Sequence, residues 1–176
     1  MWDFVAGRVR RALTLLLLAA ACAAAGVPSA SAADQVYFTA TEDVAARLVA
    51  RINAETVRID MSAWYLTEAS VYNALLNRHR AGVKVRLIGD RGSIFEIDQH
   101  TKNAFYYLAS NGLPIRLRVN PTWYPEIDHW KATIFVGQNI VAFGSANYTP
   151  FELTPFSATN YKDEIVLFTD DSAIVN

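Results

Sequence analysis

The sequence predicts a mixed α/β fold, a mostly parallel sheet flanked by helices, on two observations. The first is a spacing. Val57-Arg58-Ile59, Val85-Arg86-Leu87 and Ile115-Arg116-Leu117 are short strand-like runs separated by 28 and 30 residues, each after a helical pattern and a turn. That interval is the length of a βα unit, whose strands run parallel. The second is a hairpin: two largely apolar runs, 129–136 and 140–145, flank Gly137-Gln138-Asn139 and add antiparallel strands.

In chain order, the first element is a leader rather than part of the fold. Arg8, Arg10 and Arg11 precede an apolar run from Ala12 to about Ala25, and Ala30-Ser31-Ala32 offers the small residues a signal peptidase requires. A membrane anchor is the rival reading, but Leu15 to Ala25 is short and alanine-rich for a span. Cys22 would allow a lipoprotein, though Ala19 is a poor residue three positions before it. Residues 1–32 are thus expected to be a signal peptide and 33–176 one domain, secreted or periplasmic, with no integral membrane span after cleavage. The 144 residues that remain suffice for a real core.

Cys22 is the only cysteine, so the mature domain can form neither a disulfide nor a thiolate metal site. Removing Asp3 and the three leader arginines from 17 acidic and 16 basic residues leaves a net charge of −3. That balance argues against nucleic acid, whose binders carry a basic face, although a local basic cleft stays open.

Strands are expected at 36–39, 56–63, 83–89, 113–119, 129–136, 140–145 and 164–169, and helices on the faces of the sheet. Thr41 can cap a helix from Glu42 to about Asn53, with Val44, Leu48, Val49 and Ile52 on one stripe. Thr67 can cap a second that runs to Gly82. A third, Glu96 to Ser110, closes at Asn111-Gly112. Asp171 to Asn176 resembles the first turn of another helix.

The chemistry is concentrated in the hairpin. His129 and Lys131, two apart on a strand, point to one face. If Gly137-Gln138-Asn139 is a three-residue loop with Asn139 left-handed, Val136 pairs with Ile140, Lys131 with Ser145 and His129 with Asn147. The four polar residues would then share a face with Thr133, Phe135, Val141 and Phe143. A loop of two or four residues would send one set through the sheet. The plainer reading is a half-wet hairpin face, but a strand this apolar does not hold His and Lys without a reason.

His129-x-Lys131 followed by Gly144-Ser145-x-Asn147 resembles the signature of the phospholipase D superfamily, and Glu164, before Ile165-Val166-Leu167-Phe168, is similar to the glutamate that follows it there. The resemblance covers essentially the whole chain after the leader. It implies a phospholipase D-like half that hydrolyses or transfers phosphodiesters without metal or cofactor. His129 would attack phosphorus and become phosphorylated, Lys131 and Asn147 would hold the phosphate oxygens, Glu164 would orient His129, and Ser145 would support them. The family's aspartate, five residues after the lysine, is Val136 here, which puts normal activity in doubt.

The leaving alkoxide needs an acid, which the family takes from a second histidine in another repeat or subunit. This chain holds one such motif. A single-repeat homodimer and the amino-terminal half of a longer protein both fit, the half being preferred. A second function also fits: a catalytically silent half that binds a phosphate or phospholipid head group. Phospholipid suits the export and the aromatic loop Asn120–Pro125, where Trp123 and Tyr124 either wall the pocket or pack in the core; nucleic acid suits the chemistry but not the charge. Gly89-Asp90-Arg91-Gly92-Ser93 could touch a head group or be an ordinary turn, the turn being the simpler reading. His79 and His100 are expected on helix surfaces. No clustered His and carboxylate spacing, Gly-x-Ser-x-Gly elbow or nucleotide-type glycine loop is present.

Overall fold

Alternating apolar residues in the strand runs place one set of side chains on each side of a sheet, and the sheet they form is mixed. The computed structural model describes residues 34–121, 126–159 and 161–175. The expected leader, residues 1–32 with Cys22, and the two aromatic residues Trp123 and Tyr124 lie outside the described residues.

Seven strands are described: β1 (Gln35–Phe38), β2 (Arg58–Ala63), β3 (Lys84–Asp90), β4 (Ile115–Arg118), β5 (Lys131–Phe135), β6 (Ile140–Gly144) and β7 (Ile165–Thr169). They lie in the order β1-β7-β6-β5-β2-β3-β4. β2, β3 and β4 are parallel neighbours, as the βα spacing requires, and every other pairing is antiparallel. Five strands therefore point one way, and β5 and β7 the other.

Helices α1 (Val44–Ala54), α2 (Ala69–Arg80) and α3 (Gln99–Ser110) follow β1, β2 and β3; two short helices, α4 (Pro150–Leu153) and α5 (Ser172–Val175), follow β6 and β7. Their starts differ from the sequence expectation because a carboxylate takes the capping role each time. Asp43 rather than Thr41 accepts the Ala46 N–H at 2.8 Å, and Glu68 rather than Thr67 accepts that of Ser70 at 3.0 Å. Asp98 accepts the Thr101 N–H at 2.7 Å, so the third helix begins after Ser93–Ile97, a single wide turn. The ends fall where the glycines put them, with Gly82 and Gly112 at φ +88° and +85°.

α1, α2 and α3 cover one face, where Leu48, Ile52, Val71, Leu75 and Leu108 pack on Ile59, Met61, Leu87, Phe135 and Val166 in one buried core. Across β2 to β4 the other face carries Arg58, Asp60, Lys84, Arg86 and Arg116 instead, with Asp60 paired to both Arg58 and Arg86. Alternating arginines make that side of β2 to β4 polar, with Asp60 as their counterion. Among the described residues no helix is long and apolar enough to cross a membrane.

The hairpin corrects the expected register. Phe135, not Val136, pairs with Ile140, because the loop has four residues: Val136–Gln138 forms a tight turn and Asn139 follows, left-handed at φ 54°. The cause lies in α1. The buried Glu55 carboxylate accepts the N–H groups of Gly137 at 2.9 Å and Gln138 at 3.3 Å, and also those of Thr56, Val57 and Arg58. A Cβ at Gly137 would meet Glu55 Oε1 at 2.5 Å. Ile140 and Ala142 consequently join Lys131, Thr133 and Phe135 on the helix-covered face, while Val141 and Phe143 pair with Ile134 and Ala132 on the other.

Candidate active site

Strand polarity brings the site together. The carboxyl ends of β2 and β6 and the amino ends of β5 and β7 meet at one edge of the sheet, since Ala63 pairs with Lys131 and Gly144 with Val166. Ligands of open α/β sheets bind beyond such edges. One step past Ala132 and Phe143 sets Lys131 opposite Gly144, so Ser145 and Asn147 lie beyond the last paired residue of β6. Lys131 opens β5, while His129, Ser145 and Asn147 stand in the segments just outside the strands, so the hairpin parity expected from sequence does not set their positions.

Lys131 is 6% exposed, and its Nζ donates to the His129 carbonyl at 2.9 Å. Burial pushes its pKa below the ordinary lysine value, against the pull of Glu152, Glu164 and Asp128. His129 precedes β5, with its ring edge-on to Trp64, centroids 5.4 Å apart. Burial and then the Lys131 charge lower its pKa, while Glu152 and Asp128 oppose them. A lowered histidine is neutral at pH 7 and keeps its lone pair for attack.

The segment before His129 is fixed from β3. The Asp90 carboxylate is buried, accepting the Ser93 N–H at 3.1 Å and the Asp128 N–H at 2.9 Å. The Gly89-Asp90-Arg91-Gly92-Ser93 segment is therefore not the free turn expected but the end of β3 running into helical backbone, and Asp90 braces the site from it. Asp128 in turn accepts the Ser62 hydroxyl at 3.2 Å.

Ser145 closes the β6–β7 pair. Its N–H donates to the Ile165 carbonyl at 3.0 Å and its Oγ accepts the Ile165 N–H at 3.1 Å, one residue from Glu164. Glu164 is half-buried and acts electrostatically on Lys131; no hydrogen bond joins its carboxylate to the His129 ring among the described residues. Asn147 is held by its neighbour Tyr148, whose carbonyl accepts the Thr67 and Glu68 N–H groups at 2.8 and 2.9 Å. The buried Tyr148 hydroxyl meets Thr133 Oγ1 at 2.8 Å.

Two residues of the site were missed in the sequence. Glu152, 5% exposed on α4, accepts the Asn147 N–H at 2.6 Å through Oε2 and pairs with Lys162 Nζ at 2.6 Å through Oε1. A signal existed: Thr149-Pro150-Phe151-Glu152 has Thr at the cap and Glu three residues on, a pattern that turns the carboxylate back past the helix start. His79 and His100 lie on α2 and α3, and His100 lines a groove of about 850 Å³ beside Glu152 and Lys162, with Tyr65, Tyr72 and Tyr107. Among the described residues no group of three or more His, Cys, Asp or Glu side chains is placed to hold a metal ion.

A neutral imidazole, a buried ammonium, an amide and nearby carboxylates can together bind and attack a phosphodiester. The comparisons agree at the level of family and fold. The chain resembles the solved phospholipase D family member Nuc from Salmonella typhimurium, at 24% identity and TM-score 0.62, over 78% of this chain and 83% of that one. It also resembles NucT from Helicobacter pylori, at 21% identity and TM-score 0.65, over 81% and 87%. For phosphatidylserine synthase from Haemophilus influenzae the values are 13% and 0.56, over 80% of this chain but 34% of that one. A search of curated proteins returns no match. The family model described as cardiolipin synthase, phospholipase D-like domain, matches residues 48–176, well over half of the sequence, and the chain belongs to that family of the phospholipase D superfamily, whose activity is of the phosphodiesterase type.

Proposed function

We propose that the protein is an exported phospholipase D-like phosphodiesterase that works through a phosphohistidine on His129, with phospholipid as the favoured substrate. The supporting observation is the convergence of His129, Lys131, Asn147, Ser145 and Glu164 on one sheet edge. A ring nitrogen of His129 attacks phosphorus, the P–N bond forms as the P–O bond to the alkoxide breaks, and a second histidine from another repeat or subunit protonates that alkoxide. Water then cleaves the P–N bond, or an acceptor alcohol does so in a transfer. Lys131 and Asn147 offset the charge on the nonbridging oxygens, where one donor is worth on the order of 3 kcal/mol.

Val136 bears on this reading. It lies in the hairpin turn beside the Glu55 staple, at the far end of β5, about 16 Å beyond Lys131 at 3.3 Å per residue and further still from His129. A side chain there does not reach the phosphate, so its replacement of the family's aspartate leaves the attack possible.

The substrate class rests on the net charge of −3 and the expected leader; Trp123 and Tyr124 are proposed to wall the pocket. Diester hydrolysis by the exported protein tests the reading. His129→Asn should abolish turnover and the acid-labile phosphoryl adduct, and Lys131→Ala should weaken phosphate binding. A second reading, a half that binds phosphate and does no chemistry, would be selected by phosphate-dependent protection of the fold with no turnover.

A further inference from the structure

We propose that Glu152 is the principal positioning carboxylate of the site, fixing Asn147 and supplying the main counter-charge to the His129–Lys131 pair, with Lys162 as its solvent-side counterion. The inference rests on reading those residues as the phosphate site. Its basis is geometric. Glu152 is buried, yet none of its carboxylate's bonds is spent on its own helix. Oε2 takes the Asn147 N–H at 2.6 Å, and Oε1 holds Lys162 at 2.6 Å.

These bonds define what Asn147 can do. Its side-chain amide N–H groups are donors suited to a phosphate oxygen, and Glu152 fixes the backbone from which that amide projects. Asn147 Oδ1 is the buried side-chain atom left without a hydrogen-bond partner among the described residues; an acceptor, it cannot itself hold a phosphate oxygen, a task that falls to the amide N–H groups. Without Glu152 the Asn147 backbone loses its partner, and the donor aimed at phosphate loses its fixed position.

The charges around the His129–Lys131 pair point the same way. Asp128, Lys131 and Glu152 act on the His129 ring, and Glu152, Glu164 and Asp128 act on Lys131. In both sets Glu152 exerts the largest acidic influence, ahead of Asp128 and, for Lys131, ahead of Glu164. Burial alone would raise the Glu152 pKa, but Lys162 and Asn147 outweigh it and hold the carboxyl below its ordinary value, so it is charged wherever the site works. Asp98 and His100 of α3 line the groove on its other side.

The test separates this role from mere folding. The His129 ring resonances are titrated by NMR in the wild type and in Glu152→Gln, Glu152→Asp, Glu164→Gln and Lys162→Met, without substrate. Glu152→Gln should lower the His129 midpoint more than Glu164→Gln does, Glu152→Asp should largely restore it, and Lys162→Met should raise it. With a diester substrate, Glu152→Gln should lower kcat about tenfold or more, since a misaimed donor forfeits transition-state stabilisation, and should shift the acidic limb of the pH profile downward. A wild-type midpoint in Glu152→Gln alongside a lowered one in Glu164→Gln would overturn the proposal. Because the titration needs no turnover, it decides this even if the phosphodiesterase reading fails. Should Glu152→Gln not fold, Lys162→Met and Glu152→Asp carry the decision: no change in the midpoint in either would equally overturn it.

Discussion

Gly144 and Ile165 approach so closely that a Cβ on Gly144 would stand 2.0 Å from the Ile165 carbonyl oxygen. That same carbonyl accepts the Ser145 N–H, so the motif's glycine and serine together set how near β7 comes to β6. Gly144→Ala must push the strands apart at the residue next to Glu164. Overpacking of this kind costs about 1–3 kcal/mol. The expected result is a lowered urea midpoint together with a loss of diesterase activity beyond what the unfolded fraction explains. Activity that simply tracks the folded fraction would mean that the β6–β7 spacing does not matter to the site.

The Glu55 staple makes a separate prediction about stability. Glu55→Ala leaves the Val57, Gly137 and Gln138 N–H groups without their acceptor, and one buried orphan typically costs about 1–3 kcal/mol. Burial alone would raise the Glu55 pKa, but the backbone donors win and hold it below its ordinary value. A depressed carboxylate contributes stability above the unfolded-state pKa, and that contribution is lost as pH falls through the folded value. Urea melts at pH 7 and at acid pH should show the gap between wild type and Glu55→Gln narrowing on acidification. A gap that widens would contradict the assignment.

The acidic limb of the pH profile of turnover should be set by His129. His129 attacks when neutral and its pKa lies below the usual 6.5, so kcat/KM should climb to its plateau through a limb below that value. The fall at high pH reports the protonated second histidine that the mechanism needs as its acid, so it should set in before Lys131, itself depressed, gives up its charge. Asp128→Asn removes one of the charges that favour the imidazolium and should move the acidic limb lower still. An acidic limb above 6.5 would argue that a different group, or a protonated His129, governs the attack.

The fold was legible where periodicity governs. The three VRI-like runs gave the parallel strands because each lies a βα unit from the next, and Gly82 and Asn111-Gly112 ended helices where a left-handed residue is required. Register was not legible, since the hairpin loop is shaped by Glu55, more than eighty residues earlier in the chain. Parity counting from Asn139 alone therefore placed Lys131 one residue out of step. Glu152 and Lys162 escaped for a related reason: 145–164 has no sustained period, and their roles depend on a helix of four residues folding back on Asn147. His129, Lys131 and Asn147 stood out because residue types so polar are costly beside apolar strands.

Export makes a prediction of its own. The arginine-led apolar leader and Ala30-Ser31-Ala32 should give a mature amino terminus at or near Ala33 in protein recovered outside the cytoplasm, read by mass spectrometry. An intact Met1 on that protein would reject a cleaved leader.

Turnover should require a partner that carries a second histidine. Attack by His129 can begin on one chain, but an unprotonated alkoxide leaves poorly, and general-acid help is typically worth about 10²–10⁴-fold. The other two histidines are poor candidates: His79 lies on α2, and His100 lies on α3 across the groove from Glu152, neither in a His-x-Lys setting. Specific activity measured against protein concentration should therefore rise with the population of the associated form, and His79→Ala should follow the same curve. An inactive His129→Asn chain mixed with wild type should poison the mixed assembly. Robust turnover by a demonstrated monomer, lost in both His129→Asn and His100→Ala, would place the acid on α3 of the same chain and remove the need for a partner.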